Sequence, residues 1–369
     1  MYRVSARRPL QAGLRGETPE KTELTDIGKE SIKMKVLFIG TGVITYAHAD
    51  GLKLIGSEPA ACYDIFKPSA ERFAQTYGCP ALDDYKEYLD KEKIDYALLC
   101  TPPGVRLEYM EEIMSRGIPL YVEKPIATNM EDAIKMQEMA EKYNVPIMVN
   151  FVHCYRPAYE QMYKLVKDGT LGDPINVFSH RFGQGAGFRG RNMAASWRTN
   201  PKLVCGMTIE SLSHDITMMT ALCGNFKTVA ANVQATVESL PTFDTNSAIS
   251  MQIEKGGIAT ISASWSSDIS FSMRGYVGTK GTAIVRGGGQ FDLEDCIVKT
   301  DDMPYEQVTN YHDTYDNTLA QGMANAHKHF QDALTTGSEI RTPLESGIAA
   351  LKVSLAALKS DKEKVVVTL

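Results

Sequence analysis

MKVLFIGTGVITYAHAD, Met34 to Asp50, is the stretch from which the fold follows. Val36-Leu37-Phe38-Ile39 is a continuous apolar run of the kind a buried strand shows, Gly40-Thr41-Gly42 is a sharp turn, and the pattern from Val43 onward is helical. Strand, glycine turn and helix in that order make a cradle for a dinucleotide. Gly40 permits the tight turn, Gly42 lets the backbone approach a pyrophosphate, and the helix start at Val43 and Ile44 offers unpaired N–H groups to the negative charge. Thr45 stands at the third small position, where Gly or Ala is usual. A glycine pair after a strand also reads as an ordinary turn, so its neighbours decide.

The chain has 369 residues, which favours two domains over one core. Lysine plus arginine is 39 against 45 acids, a net charge of −6 with no basic block in the folded part, and this argues against a nucleic-acid partner. No apolar run approaches the roughly 20 residues of a membrane helix. The seven cysteines are odd in number, scattered and free of any Cys-x-x-Cys pair, which points to a reducing, cytoplasmic location and away from structural zinc. Residues 1–33 are rich in arginine near the start and polar after it, and they read as a disordered extension.

From Met34 strand and helix alternate to about Asn150. Ala60 to Asp64 is a short strand ending in an acid about 20 residues beyond the glycine turn, the separation at which a carboxylate meets the ribose hydroxyls. Asp64 there favours NAD over NADP, because a 2′-phosphate would meet like charge; Lys67 nearby softens that preference, and a plain helix-capping acid remains the alternative. The strand Tyr96–Cys100 ends in Thr101-Pro102-Pro103-Gly104, and the strand Pro119–Val122 ends in Glu123-Lys124-Pro125. Ligands of open α/β sheets bind at such carboxyl ends. After a helix from Ala158 to about Lys167 the pattern changes to short alternating segments, Ile175–Arg181, Thr228–Val237, Ser247–Glu254, Gly257–Ser266, Ser270–Val277 and Thr282–Arg286, which read as an antiparallel sheet. A helix over Glu210–Ala221 interrupts them, Gly287-Gly288-Gly289 reads as a hairpin turn, and helices over Leu319–Thr335 and Pro343–Lys359 close the chain. The domains expected are residues 34–155, a dinucleotide-binding unit, and 156–369, an α+β unit whose last helices pack back on the first.

Gly40-Thr41-Gly42, Asp64, Thr101-Pro102-Pro103, Glu123-Lys124-Pro125, Asp168-Gly169-Thr170-Leu171-Gly172, Trp197-Arg198, Glu210 with His214, and Gly278-Thr279-Lys280-Gly281 form one combination. The chain from Met34 almost to Leu369 resembles the glucose–fructose oxidoreductase, inositol dehydrogenase and rhizopine catabolism family of NAD(P)-dependent oxidoreductases. That resemblance implies a Rossmann domain, then an α+β domain with an open, mainly antiparallel sheet whose outer face builds homodimers or homotetramers. It places the active site between the domains and cofactor contacts at Gly40, Thr41, Gly42, Val43, Ile44, Asp64, Thr101, Pro102, Glu123, Lys124, Trp197 and Arg198. Arg106, His153-Cys154, Glu210 and Thr217 depart from the residues common in the family, which leaves the substrate open.

Oxidising a secondary alcohol needs a hydride acceptor and a destination for the hydroxyl proton; the cofactor supplies the first, the protein the second. Glu210 and His214, four apart, share one face of a helix. The expectation is that His214 is the general base, Glu210 orients its ring, and Lys124 hydrogen-bonds the reacting oxygen, with Lys124 as base the alternative. His153 and His180 are further substrate contacts. His327 and His329 diverge on a helix and form no metal pair, so no metal is expected. The activity expected is NAD-dependent oxidation of a sugar, sugar derivative or cyclitol. A tightly held NAD serving epimerisation, elimination or sugar-sugar exchange is one alternative, and a silent NAD- or sugar-binding regulator is another.

Overall fold

The computed structural model describes residues 33–185, 205–238, 242–314 and 317–369, so Trp197 and Arg198 lie outside the described residues. β1 (Lys35–Ile39) is buried from Val36 on, as its unbroken apolar run requires of a central parallel strand. It leads through the glycine turn into α1 (Val43–Leu54), and the alternation continues as β2 (Glu58–Tyr63), α2 (Lys67–Tyr77), α3 (Tyr85–Lys91), β3 (Tyr96–Leu99), α4 (Arg106–Met114), β4 (Leu120–Glu123), α5 (Met130–Tyr143) and β5 (Ile147–Asn150). The sheet is parallel in the order β2-β1-β3-β4-β5. An isolated parallel bridge from Cys62 to Ala81 extends it beyond β2. The strand order reverses between β1 and β3, which opens a crevice beyond their carboxyl ends.

The second half begins with α6 (Pro157–Lys167) and β6 (Pro174–Gln184). It continues with α7 (Met207–Glu210), α8 (Leu212–Cys223), β7 (Phe226–Gln234), β8 (Asn246–Ile253), β9 (Ile258–Ser264), β10 (Ser266–Gly278), β11 (Gly281–Gly287), β12 (Asp295–Thr300) and β13 (Gln307–Asn310). α9 (Thr318–Thr336), α10 (Leu344–Glu363) and β14 (Val367–Thr368) end the chain. Nine strands form one sheet, β13-β12-β11-β10-β6-β9-β8-β7-β14, antiparallel except for the parallel pair β6 and β9. Sequence patterning located six of these strands and missed β12, β13 and β14, whose alternation is short or absent. Gly287 ends β11, and Gly288 and Gly289 fall in the β11–β12 connection.

One difference matters for function. The helix expected over Glu210–Ala221 is two helices, broken at Ser211. At the break the Glu210 carbonyl accepts from the Lys124 ammonium at 2.9 Å, and the Ser211 carbonyl accepts the His214 N–H at 3.3 Å and the buried Arg181 guanidinium at 3.4 Å. α9, one of the closing helices, lies against α1. Gly51 makes that crossing possible, since a Cβ there would sit 2.6 Å from Met323 Cβ.

Candidate active site

Gly40 has φ +86°, and a Cβ on it would approach the Cys100 carbonyl to 2.8 Å, so the turn admits only glycine. Thr45 is fully buried and donates its hydroxyl to the Gly40 carbonyl at 2.9 Å, which accommodates the larger side chain at the third position. Gly42 caps α1 without a side-chain acceptor, and Val43 is 92% exposed beside it. A helix start left open in this way fits a pyrophosphate. Asp64 Oδ2 accepts from the Thr41 N–H at 2.7 Å and the Thr41 hydroxyl at 3.0 Å, and Oδ1 accepts from the Phe66 N–H at 2.8 Å. Thr41 is thus buried under the carboxylate and does not line the cleft: it fixes the acid that faces the ribose position. Lys67 is paired with Asp83 at 2.5 Å.

From these residues a cleft of about 1030 Å³ extends past Thr101 and Pro102 to Glu123, Lys124, Glu210 and His214. Arg106 braces two of its walls. Fully buried, it donates to the carbonyls of Thr101 at 2.6 Å, of Ile126 at 3.2 Å and of Pro125, and burial pushes its pKa down to about 10. Glu123 accepts the Lys124 N–H at 3.0 Å. The Lys124 ammonium crosses to the second half and donates to the Glu210 backbone carbonyl at 2.9 Å, an acceptor close to the helix break.

His214 sits on α8 with its Nδ1 buried and without a hydrogen-bond partner among the described residues. No described hydrogen bond joins it to the Glu210 carboxylate, because the break at Ser211 removes the continuous helix on which four-residue spacing aligns side chains. Burial lowers the His214 pKa well below the ordinary value, and the charges of Lys124, Arg181 and Arg274 lower it further. His153, on the turn after β5, stacks 4.4 Å from the His214 ring, centroid to centroid, and its pKa is lowered by burial, by His214 and by the charges of Arg274, Arg156 and Arg181. His180 is not part of this group. On β6, Ser179 and Arg181 face inward, so His180 points to the other face, 5.4 Å from the Phe178 ring.

Three charged residues escaped the reading of the sequence. Asp215 is fully buried and accepts from Arg181 at 2.8 Å, Arg274 at 2.9 Å and Ser179 at 2.8 Å. Burial works against its ionisation, and the two arginines outweigh that and hold its carboxyl below the ordinary range. Two cations against one anion leave the wall behind His214 positive. The available signal was a charged residue at an inward position of an alternating strand, Arg181 on β6 and Arg274 on β10. Among the described residues no group of three or more His, Cys, Asp or Glu is placed to hold a metal ion, and no helix is long and apolar enough to cross a membrane.

A glycine-turn parallel sheet joined to a mixed sheet, with lysine and histidine on their shared cleft, defines a nicotinamide-dependent oxidoreductase. The family described as "Oxidoreductase family, NAD-binding Rossmann fold" matches residues 34–151, and its companion, "Oxidoreductase family, C-terminal alpha/beta domain", matches residues 163–369. The chain therefore belongs to the glucose–fructose oxidoreductase, inositol dehydrogenase and rhizopine catabolism family, and it is a dehydrogenase that uses a nicotinamide cofactor. It is 25% identical over 337 residues to inositol 2-dehydrogenase of Rhizobium meliloti, covering 88% of this chain and 96% of that one. Among solved structures it is similar to levoglucosan dehydrogenase in complex with NADH and levoglucosan, with TM-score 0.81, 16% identity and coverage of 91% of this chain and 99% of that one. It is also similar to the WlbA dehydrogenase of Bordetella pertussis in complex with NADH and UDP-GlcNAcA, with TM-score 0.77, 19% identity and coverage of 91% and 98%. At these identities the structural likeness speaks for the fold.

Proposed function

We propose that the protein transfers hydride between NAD and a secondary hydroxyl of a sugar, sugar derivative or cyclitol. The observation that carries this reading is the placement of Lys124 and His214 on one cleft with Gly42, Ile44 and Asp64. A bound nicotinamide supplies the hydride acceptor. Lys124, held by the Glu210 carbonyl, donates a hydrogen bond to the reacting oxygen, and its charge favours that oxygen as it becomes alkoxide. His214, kept neutral by burial and by its cationic neighbours, accepts the hydroxyl proton. Those neighbours make the imidazolium a strong acid, which returns the proton to the substrate oxygen when the roles reverse in reduction. Glu210 acts through its backbone carbonyl by anchoring Lys124. His153, stacked on His214, is the further substrate contact, and His180 is withdrawn from that role.

Asp64 and the engagement of Lys67 by Asp83 support NAD over NADP. The relatives' substrates, an inositol and levoglucosan, support the polyol class. Residues 34–155 are proposed to bind cofactor, and residues 156–369 to build the substrate wall and a homodimer or homotetramer face. The outer side of the nine-stranded sheet carries exposed Ile258 and Phe271, the latter stacked on Phe182 at 5.1 Å. The test is absorbance of reduced nicotinamide with purified protein, NAD and a panel of sugars and cyclitols. Continuous accumulation of free NADH with one class supports the reading. Reduction that stops near one equivalent of bound cofactor replaces it with a non-dissociating redox mechanism, and no reduction despite measured NAD binding removes it.

A further inference from the structure

Glu123 ends a chain of buried side chains that the steps above do not use. Its Oε1 lies 3.0 Å from His48 Nε2, His48 Nδ1 lies 2.9 Å from His327 Nε2, and His327 Nδ1 lies 2.8 Å from the Tyr96 hydroxyl. His48 is on α1, His327 on α9 and Tyr96 on β3, and all three are fully buried. Asn150 completes the surroundings of Glu123, donating Nδ2 to Oε1 at 2.6 Å while its own Oδ1 accepts from the Tyr121 hydroxyl at 2.7 Å.

The acceptors determine where the protons sit. Burial works against ionisation of Glu123, and His48, Lys124 and Asn150 outweigh it, so the carboxyl lies below its ordinary range and only accepts. His48 therefore carries its hydrogen on Nε2. With His48 Nδ1 accepting, His327 donates from Nε2, its Nδ1 accepts the Tyr96 O–H, and the Tyr96 oxygen accepts from Gln331 Nε2 at 3.4 Å. Every hydrogen in this order has an acceptor. A second proton on His48 would reverse the next two bonds and aim the Tyr96 hydrogen at the Gln331 amide donor in a buried place.

The far end of the chain, Tyr96 and Gln331, is buried as well, so it is not built to carry the substrate proton to water. Its effect is positional. We propose that His48 and His327 are positioning residues: a hydrogen-bonded rod running from α9 through α1 that holds Glu123 as the acceptor of the Lys124 N–H, and so fixes the loop that presents the Lys124 ammonium. This rests on the reading of Lys124 as the group that binds the reacting oxygen. The close α1–α9 crossing at Gly51 brings His327 within reach of His48.

Two readouts test it on the full chain. The first is the ring-nitrogen NMR spectrum of histidine-labelled wild type without substrate, in which His48 and His327 are expected as neutral Nε2–H tautomers at neutral pH. The second is turnover of His327→Phe and His327→Gln. Phenylalanine keeps an aromatic ring against Tyr121, now 4.9 Å away, and deletes both nitrogens, whereas glutamine restores a donor and an acceptor. With the alcohol that best reduces NAD, His327→Phe is expected to lower kcat about tenfold or more with KM for NAD little changed, and His327→Gln to recover most of the loss. Wild-type kcat in the Phe variant, equal losses in both variants, or an imidazolium or an Nδ1–H tautomer at His48 overturns the proposal. The spectrum needs no substrate, so failure to find any alcohol that reduces NAD would sink the dehydrogenase reading and leave the proton order decided on its own.

Discussion

The Lys124 ammonium donates to the Glu210 backbone carbonyl across 2.9 Å, and this bond ties the end of β4 in the parallel sheet to α7 of the second half. A main-chain acceptor holds the ammonium at a set place without neutralising it, so its charge remains available to a substrate oxygen. Lys124→Met keeps the length of the side chain and removes the charge. Turnover is expected to fall by about a hundredfold or more, the scale seen on removing one donor to a developing oxyanion. NADH affinity, read by fluorescence titration, should change little; unchanged turnover in this variant would remove Lys124 from the chemistry.

The positive wall around His214 sets a pH signature. A depressed pKa keeps the ring in its proton-accepting form to lower pH, so the acid limb of kcat/KM for alcohol oxidation is expected well below the ordinary histidine value of about 6.5. Lys124 is the largest electrostatic contributor after burial, and its removal should move the limb back upward. The residual activity of Lys124→Met, measured against pH, checks this. A limb at or above the ordinary histidine value in the wild type would contradict it.

The parallel half was legible because each element announces itself: unbroken apolar strands, glycine at the turn, an acid at the end of β2, and Glu123-Lys124 at the end of β4. Those features are local. The second half showed its strands by alternation, yet the order of the sheet and the parallel β6–β9 pair depend on contacts distant in sequence. The break at Ser211 was hidden for a related reason: the partners around it, Lys124 on the Glu210 carbonyl and Arg181 on Ser211, are distant in sequence. His180 was misassigned by residue type alone, since its strand register turns it to the opposite face.

The proposed preference for NAD rests on Asp64. Its carboxylate is set by three hydrogen bonds from Thr41 and Phe66, an arrangement that leaves further lone pairs for ribose hydroxyls and repels a 2′-phosphate. Asp64→Ala should raise KM for NAD by about tenfold, the loss of one to two hydrogen bonds to a charged group. NADP should become the relatively better substrate. Steady-state rates with both cofactors decide it, and an unchanged NAD to NADP preference would assign the discrimination elsewhere.

Asp215 carries the largest expected stability effect. It is the shared acceptor of Arg181 and Arg274, all three side chains lie away from water, and Ser179 supplies a further hydrogen bond. Asp215→Asn preserves shape and can keep the Oδ1 contacts with Ser179 and Arg274, but it turns the amide nitrogen or a neutral oxygen toward Arg181 and leaves two buried guanidinium groups without a counter-charge. Breaking a buried pair from one side costs about 3–5 kcal/mol, because the remaining charge stays desolvated. Urea unfolding of the variant should show a stability loss of that size, read as a lower midpoint at constant slope. The uncompensated arginines should also push His214 lower still, moving the acid limb of kcat/KM further down. A change below about 1 kcal/mol, the scale of an exposed pair, would mean that water reaches the cluster in solution.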